Sequence, residues 1–162
     1  MSQENTYYNR KYKDSLFRFI FNNKEAALSL YNAINDSDYH ETDAMEFYTM
    51  NDFLYMGMKN DLSFLNMFEH QSSYNPNMPL RGLIYTSAAL KKFIEKNRLD
   101  MYSSKLLTIP VPRYYVFYNG LKKAADEVIL KLTDSMAGTN ASKVSSAEFT
   151  AHMININAGH SA

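Results

Sequence analysis

Apolar positions fall into two kinds of pattern along the chain. Leu16, Phe17, Phe19, Ile20 and Phe21 follow Asp14 at helical spacing, which predicts a first helix. Asn22, with Glu25 three residues on, reads as the capping box of a second helix reaching about Ile34. Ala26, Ala27, Leu30, Tyr31 and Ile34 form its apolar face, and Asn35-Asp-Ser-Asp38 breaks it with turn formers. From residue 44 to 71 the period shortens. Aromatic-rich runs separated by Gly57, Asn60-Asp61 and Asn66 predict an antiparallel strand meander. Pro79 then suits the first turn of a helix whose inward face would be Leu80, Leu83, Ile84, Ser87, Leu90, Lys91 and Ile94. Arg113 to Tyr118 is apolar or aromatic on both faces, as in a buried central strand. Val128–Leu130 and Phe149–Ile156 predict two more strands, and the small, polar stretch from Met136 to Ser146 a loop. The order predicts a single mixed α/β domain over residues 1–162.

Composition narrows the partners. Seventeen basic residues balance seventeen acidic ones, so a nucleic acid would have to be held by a local patch. The absence of cysteine excludes disulfides, thiolate metal sites and cysteine nucleophiles. No apolar run approaches the roughly 20 residues of a membrane span, and the first ten residues carry no secretory pattern. A cytoplasmic protein without a membrane partner is expected. The four histidines lack zinc-ligand spacing, no serine sits in a nucleophile elbow, and no phosphate-binding glycine loop occurs. His70 should be a half-buried residue on the apolar face of its strand.

The sharpest chemical signal is Asn60-Asp61-Leu-Ser-Phe64 followed by Met67-Phe-Glu69-His-Gln71. Alternation places Glu69 and Gln71 on one strand face. A hairpin turning at Phe64-Leu65-Asn66 would have an even register sum and bring Asp61 to that same face, keeping Leu62, Phe64 and Phe68 on the other. Two carboxylates on rigid strands would make an oxygen site for Mg²⁺ or Mn²⁺, able to activate water against a phosphoryl group. Exposed strand carboxylates are more often simply solvated. Arg81, Lys91, Lys92, Lys96 and Arg98 could form a local basic surface or an ordinary solvated helix face.

Several blocks occur in order: Lys13–Phe21, Met58–Phe64, Glu69-His-Gln-Ser-Ser-Tyr-Asn-Pro-Asn-Met-Pro-Leu-Arg81, Tyr102-Ser-Ser-Lys105, Val116-Phe-Tyr-Asn-Gly120 and Met153-Ile-Asn-Ile-Asn157. Together they resemble the bacterial recombination-promoting nuclease and putative transposase family, within the PD-(D/E)XK nuclease superfamily. The resemblance implies a restriction-endonuclease-like core, a mixed central sheet flanked by helices, and metal-dependent cleavage of DNA linked to recombination or mobile elements. It implies Asp61 and Glu69 as catalytic metal ligands for Mg²⁺ or Mn²⁺, the His70 carbonyl completing the site, and Gln71 where the superfamily usually has lysine. Asp14 would be the acidic residue of the first helix, although its residue type also suits an N-cap. Arg81 and Lys105, inside the resembling blocks, are the candidate phosphate contacts. Two departures favour the alternative of a catalytically inactive DNA- or protein-binding remnant. Only seven residues separate Asp61 from Glu69, and the chain ends at Ala162, where members of that family continue into further helical sequence.

Overall fold

The computed structural model describes residues 23–42, 45–50, 53–58, 61–137, 140 and 144–160. The first helix expected from the sequence, and Asp14 with it, lies outside them. Helix α1 (Lys24–Asn35) is capped by Asn23, whose side chain accepts from the Ala26 amide at 3.0 Å. The cap is thus one residue later than the Asn22 capping box predicts. α1 ends at Asp36, in the left-handed conformation at φ 50°.

Strands β1 (Met45–Met50), β2 (Phe53–Met58) and β3 (Asp61–Gln71) form the expected antiparallel meander. Helix α2 (Met78–Lys96) then crosses to β4 (Val111–Tyr118), which runs parallel to β3. β5 (Glu127–Lys131), a 3₁₀ turn at Leu132–Ser135 and β6 (Thr150–Asn155) complete a six-stranded mixed sheet in the order β1-β2-β3-β4-β6-β5. β4 is central, as its two-faced apolar sequence predicts. The predicted separators Gly57 and Asn66 do not break strands. A register shift between Met56 and Met58 accommodates the first, and the second is a buried residue of β3.

Alternation along the strands divides the core into two layers. Leu65, Met67, Tyr114, Val116, Tyr118, Ala151 and Met153 pack on the α2 side. Phe68, Phe117 and Met56 pack with Ala27, Leu28 and Tyr31 of α1 on the other. Tyr114, Tyr118, Val116, Phe68 and Met67 are almost completely removed from water, each burial contributing about 1.5–3 kcal/mol.

The face α2 turns to the sheet is only in part the one the periodicity predicts: Leu90 packs against the core, and Leu83 and Ile94 are half-buried. Met78, Pro79, Gly82, Thr86 and Ala89 are buried, whereas Leu80 and Ile84 are exposed, as are Ser87 and Lys91. The reason lies at Gly82. A Cβ there would come within 2.5 Å of Phe149 Cε1 and 2.6 Å of Tyr114 Cδ1, so the helix approaches a sheet covered by aromatic rings through its smallest residues. Close approach outweighs side-chain hydrophobicity in choosing the face.

Candidate functional site

Glu69 is the most unusual polar group of the described core: a carboxylate 1% exposed, in the middle of the sheet. β3 carries it because strand alternation puts residues 65, 67 and 69 on the α2 side, and β4 runs alongside with Glu69 opposite Val116. An unpaired buried carboxylate is costly, so its partners define the site. Arg81, from the first turns of α2, places Nη2 at 2.5 Å from Oε1. Gln71, two residues along the strand and on the same face, donates from Nε2 to the same oxygen at 2.5 Å. Tyr114 of β4 donates its hydroxyl to Oε2. Arg81 in turn donates to the Tyr85 hydroxyl at 3.2 Å, one helical turn on, and its guanidinium lies 5.8 Å from the centre of that ring.

The electrostatics follow from burial and this wiring. Burial opposes the Arg81 cation, but the Tyr85 hydrogen bond and the Glu69 charge together outweigh it and raise the pKa above the ordinary guanidinium value. Tyr114 is pushed up first by burial, then by the adjacent Glu69 charge and their hydrogen bond, so its phenol stays protonated.

The structure corrects the predicted pairing of Asp61 with Glu69. There is no hairpin at Phe64-Leu65-Asn66. β3 runs unbroken from Asp61 to Gln71, paired with β2 on one side and with β4 from Phe64 onward on the other, while Asp61 pairs with Met58. Asp61 lies opposite Met58 of β2 and Glu69 opposite Phe53; that five-position separation on β2, at about 3.3 Å per residue, puts their backbones roughly 17 Å apart. Asn66 has ladder partners on both sides, Met56 and Arg113, so continuing the strand there satisfies backbone groups that a turn would expose.

A Mg²⁺ or Mn²⁺ ion therefore does not fit the residues as placed. Glu69 meets a guanidinium and two further donors, and among the described residues no three histidine, aspartate or glutamate side chains are grouped to hold a metal. Arg81, expected as a phosphate contact, turns inward to Glu69 with its side chain 31% exposed. Lys105 stands apart from this network, exposed in the α2–β4 connection, where it lines a groove with Arg98, Asp100 and Ser103. His70 lies half-buried opposite Phe117, on the face away from Glu69. Tyr114 and Tyr85 are the participants the sequence does not single out, because a tyrosine in an aromatic strand or helix carries no spacing signal.

Three blocks of the resemblance meet at the end of the sheet that carries Glu69. The Asn119 amide donates to the Gln71 carbonyl at 3.1 Å, the Ile156 amide to Tyr118 at 2.8 Å, and the Asn157 side chain to Gly120 at 3.1 Å. Gly120 is required there: a Cβ would lie 2.6 Å from the Ser72 carbonyl and 2.5 Å from the Tyr118 ring. The Asn155 side chain donates to the Ala124 carbonyl at 3.1 Å and accepts from the Asn157 side chain at 2.9 Å, so the two asparagines tie the end of β6 to the β4–β5 connection. In comparisons with known proteins, no family model, curated protein or solved structure matches the chain. No helix among the described residues is long and apolar enough to cross a membrane.

Proposed function

We propose that the chain is a DNA-acting domain of the PD-(D/E)XK nuclease type, with Glu69 and Gln71 as the strand-borne part of its site. The observation that carries this reading is the order of elements around Glu69. Three antiparallel strands, a crossing helix and a fourth strand parallel to the third place a Glu-x-Gln pair beside the crossover. Carboxyl ends of strands at such crossovers are where open α/β sheets commonly take ligands. Arg81 is engaged by Glu69 and Tyr85, so a phosphate role for it rests on the sequence resemblance. Metal-dependent hydrolysis rests on the sequence resemblance, and the separation of Asp61 from Glu69 gives no step for a metal in this arrangement.

That separation favours a second reading, a domain that binds DNA without cutting it. Incubating supercoiled plasmid with the protein and Mg²⁺ or Mn²⁺, beside Asp61→Ala and Glu69→Ala, separates the two. Metal-dependent nicking that both substitutions abolish supports the nuclease. Absence of nicking, with a DNA duplex still bound in fluorescence anisotropy, supports the second reading, and absence of both refutes a role on DNA.

A further inference from the structure

Helix α2 carries Arg81 near its start. Its other end lies about 22 Å further along the helix axis, where the connection to β4 encloses a groove of about 460 Å³. Half-buried Phe93, Leu99 and Leu107 give the groove an apolar lining, and Arg98 and Lys105 bring two cations to it. Neither cation has an ion pair, hydrogen bond or ring contact through its side chain among the described residues. The one carboxylate in the lining, Asp100, accepts from the Tyr102 amide at 3.0 Å, and the Ser103 hydroxyl accepts from the Lys105 amide at 3.2 Å. These two side chains shape the turn, and the groove keeps more positive than negative charge although the chain as a whole is neutral.

Apolar exposure concentrates in the same place. Of the eleven large apolar side chains exposed among the described residues, five fall in this short stretch: Met101, Tyr102, Leu106, Ile109 and Val111. Tyr102, between Asp100 and Ser103 in the chain, is 91% exposed. An aromatic ring open to water beside unpaired cations has the chemistry that single-stranded nucleic acids meet, their bases stacking on rings and their phosphates pairing with cations. A duplex keeps its bases stacked on one another and offers such a surface its phosphates alone. We propose that the α2–β4 connection is a contact for single-stranded nucleic acid, with Tyr102 stacking on a base and Arg98 and Lys105 holding the flanking phosphates. The contact lies at the opposite end of α2 from the Glu69 network and stands whether or not that carboxylate serves a nuclease.

The test is fluorescence anisotropy of a labelled oligothymidine of about twelve nucleotides, and of a duplex of the same length, between about 50 and 200 mM salt. The full chain is compared with Arg98→Gln/Lys105→Gln, with Tyr102→Ala and with the charge-matched control Lys123→Gln/Lys131→Gln, whose lysines are exposed on and before β5. Every substituted side chain is exposed, and circular dichroism melts check that each variant folds. The groove double variant should flatten the dependence of log affinity on log salt by about 1.4, at about 0.7 per phosphate contact on a single strand. Tyr102→Ala should weaken oligothymidine binding roughly five- to a hundred-fold and leave duplex binding nearly unchanged, the effect of losing one stacked base. The control should keep the affinity and the slope of the unmodified protein. No oligothymidine bound by the unmodified protein, groove variants that bind as it does, or a control that loses as much as the groove double variant overturns the contact. Unchanged oligothymidine affinity in Tyr102→Ala, or a duplex bound as tightly as the single strand, overturns the single-strand assignment. Plasmid nicking enters none of these outcomes, so failure of this contact and failure of the nuclease reading are separate results.

Discussion

Replacing Tyr114 with phenylalanine removes one oxygen from the core and tests the Glu69 network directly. Tyr114 is 1% exposed and its hydroxyl donates to Glu69 Oε2, so the substitution leaves a buried carboxylate oxygen one donor short and opens almost no space. A hydrogen bond to a charged group contributes about 1.5–3 kcal/mol, so the variant should lose about 2 kcal/mol of stability. At this chain length that corresponds to a fall of roughly 4–8 °C in Tm. Urea unfolding followed by circular dichroism measures it, and a change below about 0.5 kcal/mol would refute the account, since that is the ordinary scatter of a neutral surface substitution. The pH dependence adds an independent check. Burial, reinforced by the Glu69 charge and hydrogen bond, raises the folded-state pKa of Tyr114 above its unfolded value. Its contribution is therefore fully present below about pH 10 and is lost as pH rises beyond it, because the unfolded chain releases a proton the folded chain keeps. That loss is about 1.4 kcal/mol per pH unit for this one tyrosine. Tyr114→Phe should lack it, and identical alkaline slopes in the two proteins would contradict the reasoning.

Gly82→Ala gains roughly 1 kcal/mol of helix propensity but forces a methyl into the Phe149 and Tyr114 rings at 2.5 and 2.6 Å, a cost of about 1–3 kcal/mol. A net loss of up to about 2 kcal/mol in urea unfolding is expected from the difference, and a stabilised variant would show that the helix does not sit this close. Asn66, fully buried with no hydrogen-bond partner for either side-chain amide atom among the described residues, should be improved by leucine. Asn66→Leu is expected to gain about 1 kcal/mol, and a loss of that size would reveal a partner for the amide. Asp36→Gly, at a left-handed helix end with φ 50°, should raise stability by about 0.5 kcal/mol in thermal melts. Destabilisation there would mean the aspartate side chain itself contributes to the cap.

Much of the architecture is legible in residue order alone. Turn formers at 35–38, short aromatic runs from 44 to 71, proline at the start of α2 and a two-faced apolar run at Arg113–Tyr118 lead to the observed helices, meander and central strand. Glu69 and Gln71 share a face because alternation is a property of any extended chain. The sequence by itself also determines that no cysteine chemistry is available. Three things it leaves to tertiary structure. Asn66 has the composition of a turn, yet ladders on both sides make it a strand interior, and with the hairpin goes the meeting of Asp61 and Glu69. Leu80 and Ile84 have the hydrophobicity of a core face, yet α2 presents Gly82, Thr86 and Ala89, because only small residues let a helix lie against Tyr114 and Phe149. Arg81 has the chemistry of a phosphate contact, but a carboxylate removed from water needs a nearby cation, and the helix seated at Gly82 brings Arg81 to it. Periodicity and spacing are local properties that a chain carries alone; which neighbour satisfies a buried charge depends on elements that are distant in sequence and meet only in the fold.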